Sequence, residues 1–230
     1  MNVSLIEHTP NPERTVALAA RLCYSPASID DLRENLAASD IESFLDKIMS
    51  LGHHSVLEHA SFTFGIEGIS RVTTHQLVRH RIASFSQQSQ RYVSHKEEFA
   101  SIMPDTIAGN SEARQLFAGM TETVHKAYGR LIEMGIPAED ARYILPNATE
   151  TKIIMTMNAR ELLHFFALRC CQRAQWEIRE MSDEMLRLVK KIAPILFQQA
   201  GPGCVDGPCP EGKFCCGKTA EVRTFYKNLM

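Results

Sequence analysis

Residues 69–92 read ISRVTTHQLVRHRIASFSQQSQRY, and the rest of the chain is best read outward from them. The first half has helical spacing. Arg71, His75 and Arg79 recur at i, i+4 and i+8 on one stripe, with Thr73 and Leu77 on the core-facing side and Arg81 near the helix end. The second half, IASFSQQSQRY, is rich in hydroxyl and amide side chains and reads as a loop that can wrap a ligand, leading to a strand at RYVSH. No acidic residue occurs between Glu67 and Glu97, while Arg71, Arg79, Arg81, Arg91 and Lys96 all fall there. Guanidinium forks match phosphate oxygens, so this window is a candidate anion site. The competing reading is a solvated basic face paired with acids elsewhere.

Before the window, VSLIE reads as a strand, Asn11-Pro12 opens a helix through ERTVALAARLCY, and IESFLDKIMSLG is a helix ended by Gly52. SFTFGIE alternates Phe62, Phe64 and Ile66 on one face, the period of a half-buried strand. After the window come a long amphipathic helix from Glu112 to Met134, a β-branched segment TKIIMTM, a helix in NARELLHFFALRCC, and a last helix from about Trp176 to Phe197. Helices with interleaved strands predict the α/β class. No repeat and no linker interrupt the chain before Gly201. One domain is expected over 1–200, with 201–230 as a Gly/Pro/Cys-rich insert and C-terminal segment of that domain.

The 230 residues are 44% hydrophobic, which excludes disorder as the dominant state. A formal charge of −2 argues against coating a nucleic acid polymer or an anionic membrane. Neither a basic-apolar leader nor an 18-residue apolar window is present, so a cytoplasmic protein with reduced thiols is expected.

Two further stretches can carry chemistry. LGHHSVLEH supplies His53, His54, Glu58 and His59, but without the i, i+4 histidine pair of a metalloprotease helix, so no metal site is expected there. In NARELLHFFALRCCQRAQWE, a helix puts Arg160 one turn from His164 and Arg169 one turn from Phe165. A partly buried arginine there must meet either a ligand anion or a carboxylate such as Glu161, Glu177 or Glu180. Cys23, Cys170 and Cys171 read as packing residues. Cys204, Cys209, Cys215 and Cys216 lie in GPGCVDGPCPEGKFCCGK, whose spacing lacks a zinc-ribbon knuckle and leaves open a metal, a redox loop or inert thiols.

The string RHRIASFSQQSQRY resembles the signature of the flavin-dependent thymidylate synthases: Arg79, His80 and Arg81, seven residues, then Ser89, with Arg91-Tyr92 trailing. GHHSVLEH, ARYILP, NARELLHFFALR and AQWEIRE extend the resemblance over roughly residues 1–200. It implies an α/β fold of the flavin-dependent thymidylate synthase type, a mixed sheet packed with long helices in a homotetramer with active sites at subunit interfaces. The implied activity is reductive methylation of dUMP to dTMP, with methylenetetrahydrofolate as carbon donor and FAD reduced by NADPH, and no enzyme nucleophile. The alternative is a non-catalytic nucleotide- or flavin-binding regulator.

By position, the resemblance implies FAD contacts at Ser55, Arg79, His80, Arg81, Ile82, Gln87, Asn158, Ala159, Arg160 and His164. It implies dUMP contacts at Gln76, Leu77, Val78, Arg79, Gln87, Gln88, Ser89, Gln90, Arg91, Arg142 and Arg169. Arg169 is the implied catalytic residue, stabilising the ionised N3 of the uracil. Gln87 stands where the family pattern has Glu, and His164 where it has Asn; the first removes a charge and the second can titrate.

Overall fold

A computed structural model describes residues 1–36, 41–93 and 99–229. In chain order the elements are β1 (Asn2–His8), α1 (Pro12–Leu22), α2 (Ile29–Asn35), α3 (Ile41–Ser50), β2 (Ser61–Ser70), α4 (Arg71–Leu77) and β3 (Ala83–Gln87). They continue with α5 (Asp105–Ala108), α6 (Ser111–Glu133), α7 (Ala138–Ala141), β4 (Glu150–Asn158), α8 (Ala159–Arg169), α9 (Trp176–Ile192) and α10 (Thr219–Lys227). A 3-10 segment, His54–His59, precedes β2.

The strands form one four-stranded sheet in the order β1-β2-β4-β3. Contacts fix the direction of the pairs. Ser4 Oγ donates to Gly65 O and Thr9 N to Ser61 O, while Thr63 meets Thr156 and Glu67 meets Lys152, so partner numbers fall as strand numbers rise. The sheet is antiparallel where the resemblance implied a mixed one. The α/β class stands.

The chain divides into two compact units. The first comprises Met1–Asn2, Ile66–Arg79 and Phe85–Ile154, with Ile66, Ile69, Leu77, Tyr128 and Ile153 buried. The second comprises Val3–Gly65, His80–Ser84 and Met155–Met230. Its core joins Val16, Leu45, Phe62, Phe64, Phe165, Phe166, Met181 and Val189, and the Phe197 ring sits edge-on to Phe62 at 5.5 Å and to Phe166 at 6.1 Å.

Four local expectations change. Helix α4 covers only Arg71–Leu77, started by the Ser70 side chain accepting from Thr73 N. Arg79 and Arg81 therefore lie beyond it, because the chain turns after Val78 to bury the ring of His80. The segment read as a loop holds strand β3, with Ala83, Phe85 and Gln87 half-buried and Ser84 and Ser86 exposed. An edge strand tolerates such hydroxyls because its outer face is solvated. Arg91–Val93 form a turn and bend, not a strand, and the rest of RYVSH lies outside the described residues. Finally, α9 stops at Ile192 rather than Phe197, since Pro194 cannot donate to the helix and forces Ala193 out of the α region (φ −137°).

Candidate active site

In the first unit, α4, the end of β3 and the segment that follows Ile144 surround a cavity of about 320 Å³. Arg71, Thr74, His75, Val78, Gln87 and Gln90 line it, with the Leu145–Asn147 segment. Burial pushes the Arg71 guanidinium below its ordinary pKa, and the cation of Arg142 pushes it the same way. Two arginines held this close are relieved by an anion between them. Arg142 Nε donates to Glu139 O at 3.0 Å, and the Glu139 carboxylate pairs with Arg91 Nε at 2.5 Å, so Glu139 holds both arginines, one by its backbone carbonyl and one by its carboxylate. Gln87 Nε2 donates to Thr74 Oγ1 and Thr151 Oγ1, both at 3.2 Å, which commits the amide NH2 to the protein and leaves the carbonyl oxygen for a ligand.

Of the expected dUMP contacts, Val78, Gln87 and Gln90 line this cavity. Gln76, Gln88 and Ser89 are half-buried, and Ser89 Oγ accepts from Arg91 N in a local turn. Leu77 is fully buried, so what it can offer a ligand is backbone. Arg71, His75, Thr74 and Thr151 are the cavity and supporting residues absent from the expected set. The charge of Arg71 and His75 on one helical stripe was the signal for two of them.

In the second unit, α8 begins where the Asn158 side chain accepts from Glu161 N at 2.9 Å. That first turn and the last turn of α8 grip His80 from both sides. Arg169 Nε donates to His80 Nε2 at 3.0 Å, and His80 Nδ1 lies 3.2 Å from Glu161 Oε1. A guanidinium only donates, so Nε2 must present its lone pair; the ring is neutral, with its proton on Nδ1 donated to Glu161. Burial lowers the pKa of His80 most; the Glu161 hydrogen bond opposes this and the Arg169 cation adds to it. The ring packs edge-on against Phe165 at 4.9 Å and His164 at 5.9 Å.

The expected FAD contacts fall into three environments. Ser55, Arg79, Arg81, Ile82 and His164 are exposed, and among the described residues neither Arg79 nor Arg81 pairs with a carboxylate. Arg160 pairs with Glu58 at 2.5 Å, which draws that carboxylate away from the neighbouring histidines, while the Tyr24 hydroxyl bonds His53 Nδ1. His80 and Ala159 are buried. A second cavity of about 870 Å³ is lined by His54 and Leu163, the sequence neighbours of Ser55 and His164, though by none of the expected contacts. Among the described residues no three metal-binding side chains converge. No described helix is long and apolar enough to cross a membrane.

Residues 4–195 match the family described as thymidylate synthase complementing protein. The chain belongs to that family. It is 62% identical over 230 residues to the flavin-dependent thymidylate synthase of Geobacter sulfurreducens, covering all of this chain and 99% of the relative. The protein of that name from Clostridium tetani is 50% identical over 98% of this chain and 97% of its own, and that of Pyrococcus horikoshii 45% identical over 100% and 98%. The match to the family ends before the cysteine-rich loop, whereas these relatives extend across it.

In this family member the loop is well tied down. Arg173 Nε donates to Phe214 O and Arg223 Nε to Cys204 O. All seven cysteines are free thiols. The Gly217 backbone N–H at 3.4 Å, with Cys209 and Thr219, holds the Cys215 thiol below its ordinary pKa.

Proposed function

We propose that the chain is a flavin-dependent thymidylate synthase that methylates dUMP to dTMP, taking the carbon from methylenetetrahydrofolate. Its domain spans residues 1–200, with 201–230 as the C-terminal segment of the same domain. The tie between Tyr226 of α10 and Asp183 of α9 supports that assignment. The observation that carries the function is Arg169, a half-buried guanidinium on α8 whose plane is fixed by its bond to a neutral histidine.

Arg169 stabilises the uracil as its N3 ionises, and C5 becomes nucleophilic enough to take the carbon unit without a protein nucleophile. The cysteines have no part in this. Arg71 and Arg142 bind the nucleotide phosphate, and Gln87, held by its two threonines, accepts from the nucleotide through its carbonyl oxygen. The chemistry that bound FAD supplies is hydride, replenished from NADPH. The donor set fits that cofactor: Arg81 is an exposed cation without a carboxylate partner among the described residues, suited to a pyrophosphate, and Ile82, 67% exposed, offers an apolar face to a heterocycle. Ser55, Arg79, Asn158, Arg160 and His164 complete the cofactor contacts.

Assembly as a homotetramer accounts for the exposed apolar side of α6, where Leu116 and Met120 border a cavity of about 410 Å³ lined by Ile107, Phe117 and Val124. A cytoplasmic location fits free thiols and small-molecule substrates. The test is to assay purified protein with dUMP, methylenetetrahydrofolate and NADPH. Bound flavin and release of dTMP are expected; absence of both rejects the function.

A further inference from the structure

The histidine of the Arg-His-Arg signature is buried to 5% exposure, and its two ring nitrogens already have protein partners. A ring so placed has no nitrogen to give a flavin. We propose that His80 is a positioning residue that carries the orientation of Glu161 through to Arg169: Glu161 fixes the tautomer, the tautomer leaves a lone pair on Nε2, and that lone pair holds the guanidinium plane. This rests on the reading of Arg169 as the cation beside the uracil.

The geometry makes the relay selective. Among the described residues, the groups that face the ring's polar edge or stack on it come from α8: Glu161, Arg169, His164 and Phe165. If the ring took a second proton, Nε2 would become a donor facing the Arg169 donor, and the contact would be lost along with the aim of the guanidinium. The hydrophobic burial of the ring against Phe165 therefore serves the chemistry as well as the fold, because it keeps the imidazole neutral. The flanking Arg79 and Arg81 are exposed and remain available to ligands. The signature thus splits by side-chain environment, with two outer residues facing outward and a central one facing in.

The first test needs neither cofactor nor turnover. Nitrogen-15 NMR of histidine-labelled protein at pH 7, with the His80 signals assigned by their loss in His80→Gln, is expected to show a protonated Nδ1 and an unprotonated Nε2. A protonated Nε2, or an imidazolium, overturns the proposal. The second test uses two variants, since a glutamine amide oxygen can occupy the Nε2 position while asparagine reaches only the Nδ1 position. His80→Asn is expected to lower kcat about 100-fold with flavin content and KM for dUMP little changed, and His80→Gln to recover most of that loss. Equal kcat in both variants and the parent, or parallel loss of bound flavin in both, overturns it. Arg169→Ala separates the two levels. Near-parental turnover in that variant rejects the underlying role of Arg169, while the tautomer measurement still stands or falls by itself. Where the His80 variants do not fold, Glu161→Leu replaces them, with the Nδ1-protonated tautomer expected to lose its dominance; unchanged tautomer populations count against the relay.

Discussion

Two buried polar clusters in the second unit invite comparison. In the first, Glu161, His80 and Arg169 form a chain that ends on a half-buried cation. In the second, the Tyr226 hydroxyl lies 2.6 Å from Asp183 Oδ1 and 2.8 Å from Cys170 O, so the cluster closes on itself and ties α10 to α8 and α9. Burial raises the pKa of Asp183, of the Tyr226 hydroxyl and of the Cys170 thiol, which favours neutral forms throughout. Both clusters satisfy buried polar atoms. The first carries its charge on the half-buried Arg169 guanidinium, whereas the second is built on side chains that burial holds toward their neutral forms, and that is the difference between a site and a strut.

The largest effect that can test this contrast is expected from Arg169→Ala, which should lower dTMP formation about 100- to 1000-fold while flavin remains bound. Turnover within a few-fold of the parent would make the first cluster structural as well. Tyr226→Phe should do the opposite: it removes a buried hydrogen bond at a cost of about 1–3 kcal/mol, seen as a lower Tm with kcat unchanged. A fall in kcat without a fall in Tm breaks the comparison. Next in size, Arg71→Gln in the nucleotide cavity should raise KM for dUMP about tenfold, the loss of roughly one charge-assisted contact, with kcat nearly parental.

Protonation separates the clusters by sign. The folded pKa of His80 lies below 6.5, so its contribution to stability is present above pH 6.5 and is lost as pH falls through the folded value. The folded pKa of Asp183 lies above 3.8, so its contribution is full below pH 3.8 and is lost as pH rises through the folded value. Tm measured against pH should therefore lose acid sensitivity in His80→Gln and lose the opposite dependence in Asp183→Asn; the same slope change in both variants would contradict the assignment. The smallest effect is expected at the tied-down loop. Alkylation at neutral pH should modify Cys215 before the buried Cys170, with little change in kcat, and mass mapping of the modified protein reads the order.

Much of the fold was legible in the amino-acid pattern. Phe62, Phe64 and Ile66 gave β2 its buried face by their period of two, and Asn11-Pro12 and Gly52 marked helix ends through their backbone preferences. β3 was hidden because its serines and glutamines match a loop in composition, and only the edge position in the sheet makes them acceptable in a strand. The early end of α4 was hidden for a related reason: periodicity continues through Arg79, but the burial of His80 outweighs it.

The sequence by itself determined that cations are gathered between Gly68 and Lys96, that an arginine rides the last turn of α8, and, through the signature, which family the chain joins. These are matters of order and spacing along the chain. Only the tertiary structure decided which cations stand together and which are spoken for. Glu139 reaches Arg91, and Glu161 reaches Arg169 through His80, from positions that lie outside the acid-free window. Charge partners are chosen by distance in space and by the cost of burying an unpaired group, and neither quantity is written in the local sequence.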